Sequence, residues 1–65
     1  MQELSEGTRV RNTVTGETGT VVRGSYPAWV NGRQADVMNV RYDKPLRGYS
    51  PQRDEFAATH VVIGG

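Results

Sequence analysis

Short segments of alternating apolar and polar residues, separated by glycine and proline, run through most of this chain. The 65 residues include 8 glycines and 3 prolines, and no helical run of useful length is present. Alternation with a period of two, together with β-branched side chains, is typical of strands that bury one face. The sequence therefore predicts an all-β fold built from short strands.

The interruptions set the expected strand boundaries. The first strand is predicted at 7–14, with Val10 and Val14 on its buried face. The turn 15–17 contains Gly16, which adopts a positive φ at no steric cost, and it connects this strand to a second one in a hairpin. The later strands are expected at 18–23, 36–42, 49–52 and 60–63.

Two connections have their own signals. The loop 24–34 contains Asn31-Gly32, a strong turn dipeptide, so the residues on either side are expected to pair as an extension of the second hairpin. The segment 53–58 is expected to form one turn of 3₁₀ helix with Asp54 as its cap.

The length of the chain predicts one domain over residues 1–65 with a thin core. Because cysteine is absent, disulfides and cysteine-based zinc sites are excluded, and self-association remains as a route to extra stability. Leu4 is expected to cover one end of the core. Much of the core itself is predicted to come from Val10, Val21, Val40, Tyr42, Phe56 and Val61.

Charge and composition favour a cytoplasmic binding protein without a membrane span. The formal net charge is +1, so strong attraction to nucleic acid needs a clustered basic face. No apolar run reaches the roughly 20 residues of a membrane span, and the N-terminus lacks a signal-peptide pattern. His60, the single histidine, is read as an edge residue of the last strand. We therefore expect no metal, no cofactor and no catalytic activity.

Several short motifs resemble those of SH3-like barrels. The patterns Gly7-x-x-Val10 and Gly16-x-x-Gly19-x-Val21 resemble the KOW motif. The segment 40–43 resembles the third strand of these folds, and the turn at Phe56 with strand 60–63 resembles their closing element. The resemblance implies a single five-stranded antiparallel SH3-like barrel with a short 3₁₀ turn before the last strand. The resemblance also implies a phage or mobile element as a source to consider, because small cysteine-free barrels of this kind are common there.

One enzyme family in this fold class offers a remote alternative, the tetrameric type II dihydrofolate reductases. The opening 7–11 is similar to their Gly-x-Arg-Val-Arg sequence. Their pore-lining Val-Gln-Ile-Tyr stretch is missing, because the corresponding place reads Phe-Ala-Ala-Thr-His at 56–60. The resemblance therefore argues against that activity.

The leading functional hypothesis is nucleic-acid binding through arginines and aromatic rings. Aromatic rings stack on bases and guanidinium groups bind phosphates, so their mixture suits nucleic acid. The candidate residues are Arg23, Tyr26, Trp29, Arg33, Arg47, Tyr49 and Arg53. Two alternatives stay open: Tyr26 and Trp29 pack the loop onto the sheet, or ion pairs neutralise the surface. Such pairs would join Asp36, Asp43, Asp54 and Glu55 to Arg33, Arg41, Lys44 and Arg53.

The second hypothesis is a protein-interaction module, with homo-oligomers among the partners considered. An extended hairpin offers an edge for strand addition, and Trp29 suits an interaction hot spot. A further alternative is an aromatic cage for a methylated cation, formed by Tyr26, Trp29, Tyr49 and Phe56.

Overall fold

The computed structural model describes residues 4–64, which form one five-stranded antiparallel sheet. The strands are β1 (Arg9–Asn12), β2 (Thr18–Val30), β3 (Arg33–Tyr42), β4 (Gln52–Phe56) and β5 (His60–Val62). A 3₁₀ turn at Ala57–Thr59 precedes the last strand. The predicted all-β class, the antiparallel arrangement and the 3₁₀ turn are confirmed.

The strand order is β4-β3-β2-β1-β5, so β4 and β5 are the edges of the sheet. Within residues 4–64 these edges do not pair with each other, and hydrogen bonds do not close the sheet into a barrel. In the same range, no helix is long and apolar enough to cross a membrane.

The hairpin of β2 and β3 is much longer than the second and third strands expected from the sequence. Its turn is Asn31-Gly32, where both residues have a positive φ, at 51° and 77°. The predicted extension of this hairpin is confirmed, because pairing continues to Val30 and Arg33 at the tip. Register shifts between Val21 and Tyr26 bend the strand through the segment that was expected to be a loop.

The core lies on one face of the sheet and contains Leu4, Val10, Val21, Met38, Val40 and Tyr42. All of these residues except Met38 were predicted. Met38 alternates with Val40 and Tyr42 along β3 and therefore points to the same face. The predictions for Phe56, Val61 and Val14 are wrong, since these residues are 42%, 41% and 77% exposed. Phe56 pairs with Val37 and Val61 pairs with Arg11, both on the face opposite the core. Val14 lies in the turn after β1.

The bounds of β1, β4, β5 and the 3₁₀ turn also differ from those expected, and β5 ends at Val62 rather than at 63. Strand β1 is shorter than 7–14, and β4 begins at Gln52 because it pairs there with Arg41. The 3₁₀ turn begins only after Phe56, which makes no side-chain cap. Asp54 does not cap this turn; it lies within β4 and accepts a hydrogen bond from Asn39.

Gly19 allows β2 and β3 to approach closely beside the core. A Cβ at this position would lie 2.5 Å from the carbonyl oxygen of Arg41 and 2.9 Å from Cα of Tyr42. Both atoms belong to the backbone, so they cannot move aside without disturbing the strand pair. The register of β2 against β3 therefore depends on a glycine here.

Candidate functional site

The outer face of the sheet, defined as the face opposite the core, carries most of the exposed arginines. Val10, Val21 and Val40 point into the core, so alternate residues of their strands point outward. One outward row crosses four strands and contains Arg9, Thr20, Arg41 and Gln52. A neighbouring row contains Arg23, Asn39 and Asp54, and a third contains Arg11 and Thr18.

One arginine of the outer face is neutralised by a carboxylate. Arg9 forms a bidentate pair with Asp43, with Nη1 at 3.0 Å from Oδ1 and Nη2 at 2.5 Å from Oδ2. The hydrogen bond from Arg9 holds the pKa of Asp43 below its ordinary value. Both side chains are exposed, so this pair adds little to stability.

Arg11, Arg23 and Arg41 differ from Arg9 in this respect. All three are exposed, and within residues 4–64 none of them forms an ion pair. One alternative left open by the sequence was that ion pairs between nearby acids and bases neutralise the surface. Of the acids and bases named for that alternative, only Arg53 and Glu55 form an ion pair with each other.

Amide side chains cover the part of the outer face beside Arg41. Its Nη2 donates to Gln52 Oε1 over 3.3 Å, and Gln52 Nε2 donates to Asn39 Oδ1 over 2.7 Å. Asn39 Nδ2 in turn donates to Asp54 Oδ1 over 3.0 Å. This chain of hydrogen bonds fixes the direction of the amide groups and leaves the rest of the Arg41 guanidinium exposed.

The outer face brings together three of the seven sequence-predicted site residues: Arg23, Tyr26 and Arg33. The Arg23 guanidinium carbon lies 4.8 Å from the centre of the Tyr26 ring, in a cation–π contact. Arg33 pairs with Val30 at the tip of the hairpin on the same face. Trp29 points to the opposite face of the hairpin and is 76% exposed, so it does not pack the hairpin onto the core.

The other three predicted residues are Arg47, Tyr49 and Arg53, and they lie elsewhere. Arg47 is exposed in the connection between β3 and β4. Arg53 pairs with Val40 and points to the core side of β4. Its guanidinium carbon lies 4.5 Å from the centre of the Tyr42 ring and 4.9 Å from that of Tyr49.

Arg53 is part of a buried polar cluster that the sequence did not predict. The cluster consists of Asn12, Glu17, Tyr42, Arg53, Glu55 and His60. Nη2 of Arg53 lies 2.6 Å from Glu17 Oε1, and Nε lies 3.2 Å from Glu55 Oε1. Burial would lower the pKa of Arg53, but the hydrogen bond to Glu17 and the two carboxylate charges outweigh it and raise the pKa. The cation is therefore paired with two carboxylates, while its buried Nε makes an ion-pair contact with Glu55 but no hydrogen bond.

Glu17 receives three hydrogen bonds in this cluster. Besides the bond from Arg53, Thr15 Oγ1 donates to Oε1 over 2.8 Å and the Leu46 amide donates to Oε2 over 3.1 Å. Burial by itself would raise the pKa of Glu17, but these hydrogen bonds outweigh it and the pKa is lowered. The carboxylate thus stays ionised in a position with 1% of its side chain exposed.

Tyr42 and His60 form the deepest part of the cluster. The Tyr42 hydroxyl oxygen lies 2.6 Å from His60 Nε2, and Asn12 Nδ2 donates to this oxygen over 3.3 Å. Burial raises the pKa of Tyr42. His60 Nδ1 lies 2.8 Å from the carbonyl oxygen of Phe56, which fixes the ring from the other side. His60 begins an edge strand as expected, but its side chain is buried.

An open cavity of about 380 Å³ lies over this cluster. Tyr49, Phe56 and Val14 form its apolar part, and Arg53 and Glu55 form its polar part. Tyr26 and Trp29 do not line it, so the structure does not bring the four rings of the hypothetical cage around one cavity. Over residues 4–64, no three histidine or acidic side chains are close enough together to hold a metal ion.

Comparisons with protein-family models, with curated proteins and with solved structures found no match. The geometry of the chain itself therefore carries the functional argument. Sequence reasoning missed Arg11 and Arg41 as members of the candidate surface. Arg11 follows the buried Val10 in β1, and Arg41 follows the buried Val40 in β3. Because side chains alternate along a strand, both arginines point to the outer face of the sheet.

Proposed function

We propose that this chain is a non-catalytic SH3-like module that binds nucleic acid through the outer face of its sheet. The observation that carries the proposal is the presence of Arg11, Arg23 and Arg41 on one face, all exposed and without ion pairs among residues 4–64. Guanidinium groups present a planar fork that suits phosphate oxygens. The strand order, with a 3₁₀ turn before the last strand, is compatible with an SH3-like fold and supports this proposal.

The charges and polar groups around these arginines also favour nucleic acid. The acids of the face are Asp43, already paired with Arg9, and Asp54. Positive charge is therefore in excess on this face, although the chain as a whole is nearly neutral. The amides of Asn39 and Gln52 add donors and acceptors that suit sugars and base edges.

Fluorescence anisotropy with short labelled single- and double-stranded oligonucleotides tests the proposal. The double variant Arg11→Gln/Arg41→Gln is expected to bind at least about tenfold more weakly, because two charged phosphate contacts are lost. The matched control is Lys44→Gln/Arg47→Gln, which removes the same charge from the connection after β3. If both variants lose affinity equally, the affinity for the oligonucleotide depends on the net charge of the chain alone. That result would contradict binding through the outer face.

Protein interaction remains a second candidate function, and one observation favours it. The side chain of Trp29 is 76% exposed at the end of a hairpin. Tryptophan is among the residues that most often supply binding energy at interfaces. The two functions use different faces of the hairpin.

A further inference from the structure

The tip of the β2–β3 hairpin, residues 27–36 and called the ribbon below, extends beyond the other strands. Strand β4 pairs with β3 only from Val37 onward, and β1 pairs with β2 only as far as Thr20. Within residues 4–64, the strands of the ribbon thus pair only with each other. Two-stranded ribbons are marginally stable in water, so this one gains from packing against another surface.

Trp29 is the most conspicuous apolar group of the ribbon. It is the only tryptophan of the chain and has 76% of its surface exposed. An indole ring buries about 150–250 Å² when it is covered, and its N–H group then requires an acceptor. A surface that receives Trp29 must therefore combine an apolar hollow with a hydrogen-bond acceptor.

The chain itself contains such a hollow. A second open cavity, of about 230 Å³, is lined by Val30, Val37, Asp54, Glu55 and Phe56. An enclosed apolar cavity of about 150 Å³ in another protein accommodates benzene, so this open hollow has room for part of an indole ring. Val30, Val37 and Phe56 supply apolar walls, and Asp54 supplies a carboxylate acceptor for the indole N–H. Glu55 also lines the cavity, but its carboxylate already contacts Arg53 and Tyr42.

The charges beside the two features are complementary. Arg33 lies at the tip of the ribbon, exposed and without an ion pair among residues 4–64. Asp54 at the cavity is exposed and accepts one hydrogen bond, from Asn39. A tip that enters the cavity of another molecule brings this positive charge near the carboxylate, although the Arg33 side chain starts from the ribbon face opposite Trp29.

From these observations we infer that the chain associates with a second copy of itself by inserting Trp29 into the cavity formed by Val30, Val37 and Phe56. Trp29 and Val30 occupy opposite faces of one ribbon. A molecule that inserts its Trp29 into the cavity of a second molecule therefore keeps its own cavity free. A third molecule can insert its Trp29 there. The contact is head-to-tail, and such contacts extend into open chains unless the rotation closes a ring.

The association is expected to be weak. One inserted indole and its surroundings bury less than the roughly 1,200 Å² of a standard stable interface. The complex is therefore concentration-dependent. This inference does not rest on the proposed nucleic-acid function, because it uses Trp29 and an apolar cavity and none of the exposed arginines Arg11, Arg23 and Arg41. The cavity itself lies on the outer face of the sheet, beside Asp54.

The emission of the single tryptophan reports the contact directly. Emission spectra and sedimentation are measured from about 1 µM to about 1 mM, the range of weak interfaces. The average mass is expected to rise and the emission maximum to shift to shorter wavelength over the same range. Trp29→Ala is expected to remain monomeric, whereas the matched control Val14→Ala, which truncates another exposed apolar side chain, is expected to behave as wild type. A wild type that stays monomeric with unshifted emission would overturn the inference.

Mixing two complementary variants tests the head-to-tail geometry. Trp29→Ala keeps the cavity but lacks the ring, and Val37→Asp keeps the ring but lacks an apolar cavity. Each variant alone is expected to be monomeric, and the mixture is expected to form a discrete 1:1 dimer with blue-shifted emission. Phe56→Asp replaces Val37→Asp if the latter does not fold. A mixture that stays monomeric contradicts the inference.

Discussion

Arg53 reaches Glu17 across 36 positions of sequence, with Nη2 of the guanidinium 2.6 Å from Oε1 of the carboxylate. The pair joins β4 to the turn that precedes β2. Its side chains are 18% and 1% exposed. The Arg53 guanidinium also covers the ring of Tyr42 in the core. An arginine that was expected to contact a ligand therefore forms a largely buried ion pair between β4 and this turn.

Replacing Glu17 by alanine is expected to lower the free energy of unfolding by about 3 kcal/mol, because Arg53 would be left partly buried beside an empty site. Denaturant unfolding followed by circular dichroism measures this change. The control is Asp43→Ala, which breaks the exposed pair with Arg9 and is expected to have a much smaller effect. Equal losses in both variants would refute the structural role assigned to Glu17.

The lowered pKa of Glu17 also predicts how stability depends on pH. The unfolded chain binds a proton at Glu17 more readily than the folded chain does. The contribution of Glu17 to the free energy of unfolding is therefore fully present above its ordinary pKa of about 4.3. That stability is lost as the pH falls from this value through the folded pKa. Unfolding free energies between pH 7 and pH 3 are expected to fall less steeply in Glu17→Gln than in wild type. Parallel profiles would contradict this expectation.

Gly19→Ala tests the close approach of β2 and β3. The added methyl group meets backbone atoms of Arg41 and Tyr42, so the strands must separate. Overpacking of this kind costs about 1–3 kcal/mol, and the rigid backbone contact favours the upper end. Thermal unfolding measures the loss, with Thr20→Ala as the control on the outward-facing neighbour. An alanine at position 19 without loss of stability would show that the register of the hairpin is different.

Local patterns were sufficient to predict the fold class and most of the core. Alternation of buried and outward residues located Val10, Val21 and Val40, and Asn31-Gly32 indicated the turn at the hairpin tip. Phe56 could not be assigned in this way, because its face depends on how β4 pairs with β3. The observed register sets it opposite Val37 on the outer face.

The functional surfaces were harder to predict because they depend on contacts between distant residues. Asn12, Glu17 and His60 are polar, so sequence patterns favour exposed positions for them, yet all three are buried. Their hydrogen-bond partners Tyr42 and Arg53 lie far along the chain. The arginine–aromatic set was likewise divided among several parts of the fold, and for Arg53 this is because side-chain direction in β4 follows from its register and not from composition.

The salt dependence of nucleic-acid affinity tests the central claim most directly. Each phosphate contact contributes about 0.7–0.9 to the slope of the logarithm of the binding constant against the logarithm of salt concentration. Arg11→Gln/Arg41→Gln is therefore expected to reduce this slope by about 1.4–1.8 relative to wild type, and Lys44→Gln/Arg47→Gln to leave it unchanged. A slope that is the same in wild type and Arg11→Gln/Arg41→Gln would show that phosphates do not contact the outer face, and would contradict the account.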